Sequence, residues 1–137
     1  MYIQYGVAII SITYVVLGVL GFLPVDSINP FHHEGVGARY LLGLVAINGF
    51  HNLIHLAIGA SGLWAMQRLD RSQLWGKVVG AVLLIIFVVG MAQAGLEGFP
   101  GDQLLLGIVP LNSPGHTLHF TTGALALYMG FARPVYR

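Results

Sequence analysis

The stretch "NGFHNLIHLAIG", residues 48–59, sets two histidines four apart in an otherwise apolar run. That spacing lays His51 and His55 on one face of a helix. The run itself, from about Asn48 to Met66 with an apolar approach from Leu41, has the length of a bilayer-spanning helix, about 20 residues. Ionisable side chains at membrane depth are costly and need partners. The stretch therefore decides the fold class and also marks where function is to be sought.

Three further runs flank it: Gly6 to Leu23, Leu74 to Leu96 and Pro114 to Ala132. Four spans fit the composition. Of 137 residues, 56% are hydrophobic and 8% charged, and the mean hydropathy is +0.79, too little charge to cover a soluble domain. A net charge of +1 excludes a nucleic-acid footprint, and the lack of cysteine excludes disulfides, thiolate metal sites and thiol catalysis. "MYIQYG" lacks the basic segment and cleavage site of a signal peptide, so the first run is expected to be retained.

Four spans put the chain's two ends and the middle loop on one side, with Arg68, Arg71, Lys77, Arg133 and Arg137; the other side has only Arg39. The acids divide oppositely, with Asp26, Glu34, Glu97 and Asp102 outside and Asp70 inside. The positive-inside rule then predicts cytoplasmic termini, with Trp64, Trp75 and Tyr136 near the inner interface.

The stretch also recurs. "LLGLVAINGFHNLIHLAIGA" from Leu41 and "LLLGIVPLNSPGHTLHFTTGA" share a pattern at a shift of 64, pairing Gly43 with Gly107, Asn48 with Asn112, His55 with His119 and Gly59 with Gly123. Upstream, "GVLGFLP" ending at Pro24 resembles "AGLEGFP" ending at Pro100, a shift of 76, which implies 76 − 64 = 12 extra outer-loop residues in the first copy. The expected architecture is an all-α, four-transmembrane-helix bundle forming one domain, 1–137. It consists of two tandem hairpins, about 1–67 and 74–137, in a parallel internal repeat. Pro110 is poorly placed inside a helix, so "LLLGIVPL" reads as an apolar loop and Asn112 as the N-cap, with Pro114 in the first turn. By the repeat, Asn48 caps the second span. All six histidines (32, 33, 51, 55, 116 and 119) fall in the outer half.

These paired motifs resemble a bacterial integral-membrane family, domain of unknown function 4383. Its members are short four-helix proteins with one Asn/His motif before the second helix and a related one before the fourth. His51, Asn52, His55 and His119 match. Gly115 and His116 stand where members typically have Asp-Asn, which exchanges a carboxylate for an imidazole. The resemblance implies a fold and a bacterial inner or photosynthetic membrane, and no activity.

Three readings of the histidines follow. In the first they are structural, with His55 bonding the Asn112 turn and His119 the Asn48 turn across the pseudo-axis, each link worth about 0.6–2 kcal/mol. In the second, His55, His119, His51 and His116 offer axial ligands to a tetrapyrrole, haem b or chlorophyll, with Gly59 and Gly123 making room; small residues serve helix packing equally. In the third the same four histidines hold zinc or copper, with Glu97 and Asp102 approaching from the outer loop. His32 and His33 are expected to be solvated. His55 and His119 are expected to face inward near the pseudo-axis, with His51 and His116 one turn further out. No Ser/His/Asp set, HExxH or phosphate loop is present, so no enzyme is expected; Ser11 and Ser61 read as bonded to helix carbonyls.

The expected role is a small accessory subunit of a larger photosynthetic or respiratory membrane complex. Its partners would be other membrane subunits and lipids, reached through faces carrying Gly18, Gly21, Gly76, Gly80 and Gly90; a homo-oligomer is a further arrangement the sequence allows.

Overall fold

A computed structural model describes residues 2–23, 36–93 and 102–133, and the backbone alone over 94–97. It is mostly helical. In chain order the elements are α1 (Tyr2–Leu20), β1 (Arg39–Leu41), β2 (Val45–Ile47), α2 (Gly49–Ala65), α3 (Leu69–Glu97), β3 (Gln103–Leu105), β4 (Val109–Leu111) and α4 (Ser113–Phe131). Two helical stretches, Tyr2–Leu20 and Leu69–Gln93, are long and apolar enough to cross a membrane, with hydropathies of 2.0 and 2.3. The other two helices fall short of that measure for physical reasons. α2 has only 17 residues, and α4 carries two imidazoles and three threonine hydroxyls in its 19.

The segment expected as an apolar loop before α4 is a β-hairpin, and a matching one precedes α2. The first pairs Arg39 with Ile47 and Leu41 with Val45; the second pairs Gln103 with Leu111 and Leu105 with Val109, each residue 64 further on. The turns carry positive φ at both corners: Leu42 (+52°) and Gly43 (+72°), then Leu106 (+52°) and Gly107 (+73°). The amide of Leu44 closes the first turn on Leu41 O at 3.0 Å, and that of Ile108 closes the second on Leu105 O at 3.1 Å. Two left-handed corners match the twist of paired strands. Pro110 sits in β4, and a two-stranded sheet has only edge strands, where proline is tolerated.

The helices pack in pairs, α1 on α2 and α3 on α4, with thinner contact between the pairs. The close approach is made by glycine. A Cβ on Gly59 would stand 2.5 Å from Val15 Cγ2 and 2.7 Å from Ser11 O, and one on Gly80 would meet Leu127 N at 2.5 Å and Gly123 O at 2.9 Å. The glycines expected to face a partner subunit instead face the chain's own helices. Gly18 lies on Leu56, Gly21 on Asn52, Gly76 on Ala126 and Gly130, and Gly90 on His116. The cause is that backbone approach needs small residues wherever helices cross, inside the chain as much as between chains.

Ile3, Val7, Ile10, Tyr14, Trp75, Leu83 and Met129 form the core. Trp75 was expected at the interface but is 7% exposed, and its indole donates to Ser61 Oγ at 3.0 Å. Trp64 is 57% exposed, with the Arg71 guanidinium 4.3 Å over its ring. Tyr136 lies outside the described residues. Ser11 and Ser61 donate to Val7 O and Ile58 O, as their places in helices predicted. All four helices turn large apolar side chains outward, among them Ile9, Leu53, Ile85 and Leu125.

Candidate metal centre

The two asparagines position the site. Each has extended backbone and closes the first turn of its helix: Asn48 Oδ1 accepts from His51 N at 2.8 Å, and Asn112 Oδ1 from Gly115 N at 3.3 Å. Their amide groups reach into the opposite half. Asn48 Nδ2 donates to Ile108 O and Asn112 Nδ2 to Leu44 O, both at 2.8 Å. The acceptors are themselves related by the repeat, since 108 − 44 = 64. Asn48 also donates to Val36 O, and the amide of Ala46 donates to Asn112 Oδ1.

With the caps in register, position 51 corresponds to Gly115, Asn52 to His116 and His55 to His119. Three imidazoles meet: His51 and His55 from α2 and His119 from α4. Their ring centroids are 4.3 Å (51–55), 5.9 Å (51–119) and 6.3 Å (55–119) apart, and one ring nitrogen from each lies within 4.8 Å of the others. They are 2%, 1% and 3% exposed. The Tyr14 ring meets His55 edge-on at 5.1 Å, and the Tyr14 hydroxyl pairs with Thr122 Oγ1 at 2.9 Å.

Four of the six ring nitrogens are buried without a partner. His51 Nδ1, both nitrogens of His55 and His119 Nδ1 make no hydrogen bond. The expected links from His55 and His119 to the opposite asparagine turns are not made. The asparagine amides already satisfy the Ile108 and Leu44 carbonyls, while the His51 ring bonds the backbone of Ala46 and Pro110. A buried polar group without a partner costs about 1–3 kcal/mol, and neutral imidazole carries both a donor and an acceptor. Three ring nitrogens this close together are a donor set that an imidazole-bound metal ion can use. Ligands at 2.0–2.1 Å from one ion stand about 3.5 Å apart, so roughly 1 Å of side-chain adjustment would close the site.

His116 is not part of the cluster. As the counterpart of Asn52, it faces its own half's first helix. His116 Nε2 accepts from Gln103 Nε2 at 2.6 Å, and its ring packs on Gly90 and on Phe87. Asn52 correspondingly donates to Gly21 O at 2.7 Å. Arg39 donates to that same carbonyl, as Gln103 does to Gly90 O. Gly21 and Gly90 are therefore equivalent, and along α1 and α3 the shift is 90 − 21 = 69. The shift of 76 was drawn from Pro24 and Pro100, which lie outside the described residues. So do Asp26, His32, His33, Glu34 and the Glu97 side chain. Asp102 does not approach the imidazoles; it accepts the Tyr40 hydroxyl, which ties the first hairpin to the second half.

Gly59 and Gly123 open no space beside the histidines. α1 fills the first, and Leu83 and Leu84 fill the second at 3.0 and 3.2 Å from a built Cβ. Two surface grooves, of about 420 Å³ and 310 Å³, hold no histidine. Tyr14 was not anticipated as a neighbour of the cluster, nor Gln103 and Tyr40 as the partners of His116 and Asp102. The available signal was a polar tip on an aromatic or amide side chain in an apolar segment, which needs a partner once buried.

These features define a small helical protein of two clasped helix pairs around a buried tri-histidine centre. Residues 4–132 match the family described as Domain of unknown function (DUF4383), and the chain belongs to it. No curated protein and no solved structure was found to match.

Proposed function

We propose that this is an integral membrane protein that binds a transition-metal ion, of the zinc or copper type, through His51, His55 and His119. The observation that carries the reading is the convergence of three buried imidazoles, from both halves, each with at least one ring nitrogen that makes no hydrogen bond. His116 is not a ligand in this reading, and a tetrapyrrole lacks the room it needs beside Gly59 and Gly123.

The membrane setting is a four-span one, with both ends on the cytoplasmic side of a bacterial inner or photosynthetic membrane. Outward apolar side chains on all four helices support it, because such surface is stable in lipid and prone to association in water. The basic residues near the α2–α3 turn support the orientation. The inward glycines remove one argument for an accessory subunit. The exposed Ile, Val and Leu faces suit lipid as well as a protein neighbour.

The test is metal analysis of the chain purified from membranes in mild detergent without chelator. About one equivalent of a single transition metal is expected, and none in the His51→Leu/His119→Leu variant. A wild-type chain that is metal-free and takes up neither zinc nor copper on titration would overturn the reading.

A further inference from the structure

We propose that the ion is monovalent copper, held by three neutral nitrogens with no fourth ligand among the described residues; this rests on the metal-binding reading above. The first ground is charge. All three donors are neutral imidazoles, so the ion keeps its full charge. The two carboxylates among the described side chains are engaged elsewhere: Asp70 pairs with Arg68 at the α2–α3 turn, and Asp102 accepts from Tyr40. The cost of burying an ion in a low-dielectric interior grows as the square of its charge, roughly fourfold more for a divalent ion than for a monovalent one. A site 1–3% exposed, with no charged ligand among the described residues, thus discriminates against every divalent ion unless an outside anion comes with it.

The second ground is geometry. The ring centroids form a triangle with sides of 4.3, 5.9 and 6.3 Å. Divalent copper and nickel favour four donors near one plane, and zinc completes a tetrahedron with a fourth ligand. Among the described residues no fourth ligand stands ready for zinc. Monovalent copper has a filled d shell and is content with three donors, and imidazole is among its suitable ligands. α2 and α4 supply the three donors, and the Tyr14 ring of α1 packs against His55 at 5.1 Å.

The experiment is an anaerobic titration of the full chain in detergent with copper(I) presented in a chromophoric copper(I) chelator. It is followed by challenge with a roughly tenfold excess of zinc(II) and by X-ray absorption at the copper edge. The expected result is one copper(I) per chain, resistant to zinc, with a three-nitrogen shell. His119→Leu should weaken uptake at least about tenfold, a loss of the size expected for a disrupted ligand set. His116→Asn, which copies the counterpart residue Asn52, should leave uptake unchanged and so controls for folding. Displacement by zinc, or a shell of four or more donors, would overturn the copper(I) assignment and leave the metal site standing. Uptake of neither ion would overturn both.

Discussion

Asn48 and Asn112 make one exchange in opposite directions: each caps its own helix and donates its amide to a turn carbonyl of the other half, at 2.8 Å in both cases. One side chain thus does two jobs, and substitution can separate them. Asn112→Ala should cost about 0.5–2 kcal/mol for the cap and about 1 kcal/mol for each of the two lost bonds, to Leu44 O and from Ala46 N. Asn112→Asp keeps the cap acceptor and removes only the donor, so it should cost about 1 kcal/mol, plus repulsion at the Leu44 carbonyl. Denaturation of both variants in matched detergent checks the order Ala worse than Asp.

Glycine packing makes a second, sign-specific expectation. Gly59→Ala puts a methyl 2.7 Å from the Ser11 carbonyl, which is backbone and cannot turn aside. It should destabilise by about 1–3 kcal/mol, as overpacking does. Gly49, at the start of the same helix, has nothing within 4 Å. Gly49→Ala should be neutral or stabilising by up to about 1 kcal/mol through helix propensity. Equal effects at the two positions would contradict the close α1–α2 approach.

Much of the fold was legible because a few residues have only one good use. Asn before an apolar periodic run, with Pro114 in the first turn, read as a cap, and it is one. The 64-residue recurrence placed His55 and His119 in equivalent slots. The hairpins were not legible, because "LLGL" and "LLGI" are apolar throughout and put leucine in a left-handed corner that it rarely adopts. The direction of the glycines was hidden too, since lipid and protein interior are equally apolar neighbours. His116 was misplaced because three residues of helix is 60° short of a full turn, enough to swing it from α2 toward α3.

Those leucine corners supply a third test. Leu106 has φ +52° and is 78% exposed, so its side chain contributes little packing. The left-handed conformation costs an L-residue about 1–2 kcal/mol, partly offset by glycine's greater freedom in the unfolded chain, about 0.5–1 kcal/mol. Leu106→Gly should therefore stabilise slightly, by up to about 1 kcal/mol. A clear loss of stability would mean that the exposed leucine is held by something outside the chain.

Alkaline pH reports on the seam between hairpins. The Tyr40 hydroxyl is pushed up to about 12, first by burial and then by its bond to Asp102 and the charge of that carboxylate. The raised value favours the protonated phenol in the fold. Its stabilisation is fully present below pH 10 and lost as pH rises through 12. Tyrosinate absorbance should show a late-titrating tyrosine that Asp102→Asn moves toward the ordinary value. If Asp102→Asn moves no late-titrating tyrosine, the link between Tyr40 and Asp102 is overturned.

The last expectation separates a metal centre from a merely structural histidine cluster by the sign of one substitution. In the absence of metal, His55 buries two ring nitrogens without partners, against His51 and His119. His55→Leu removes both and keeps an apolar side chain of similar size, so with chelator present it should stabilise, by an amount of the order of the 1–3 kcal/mol such groups cost. With metal the order reverses. A ligand that binds only the folded chain adds about 2.7 kcal/mol at a hundredfold excess over its Kd, and the wild type should gain that while His55→Leu gains nothing. If the imidazoles served only to join helices, His55→Leu would destabilise equally with and without metal. The measurement is the thermal midpoint of both chains, each with chelator and with added ion, and the crossing of the two orders is the result expected of a site built to hold an ion.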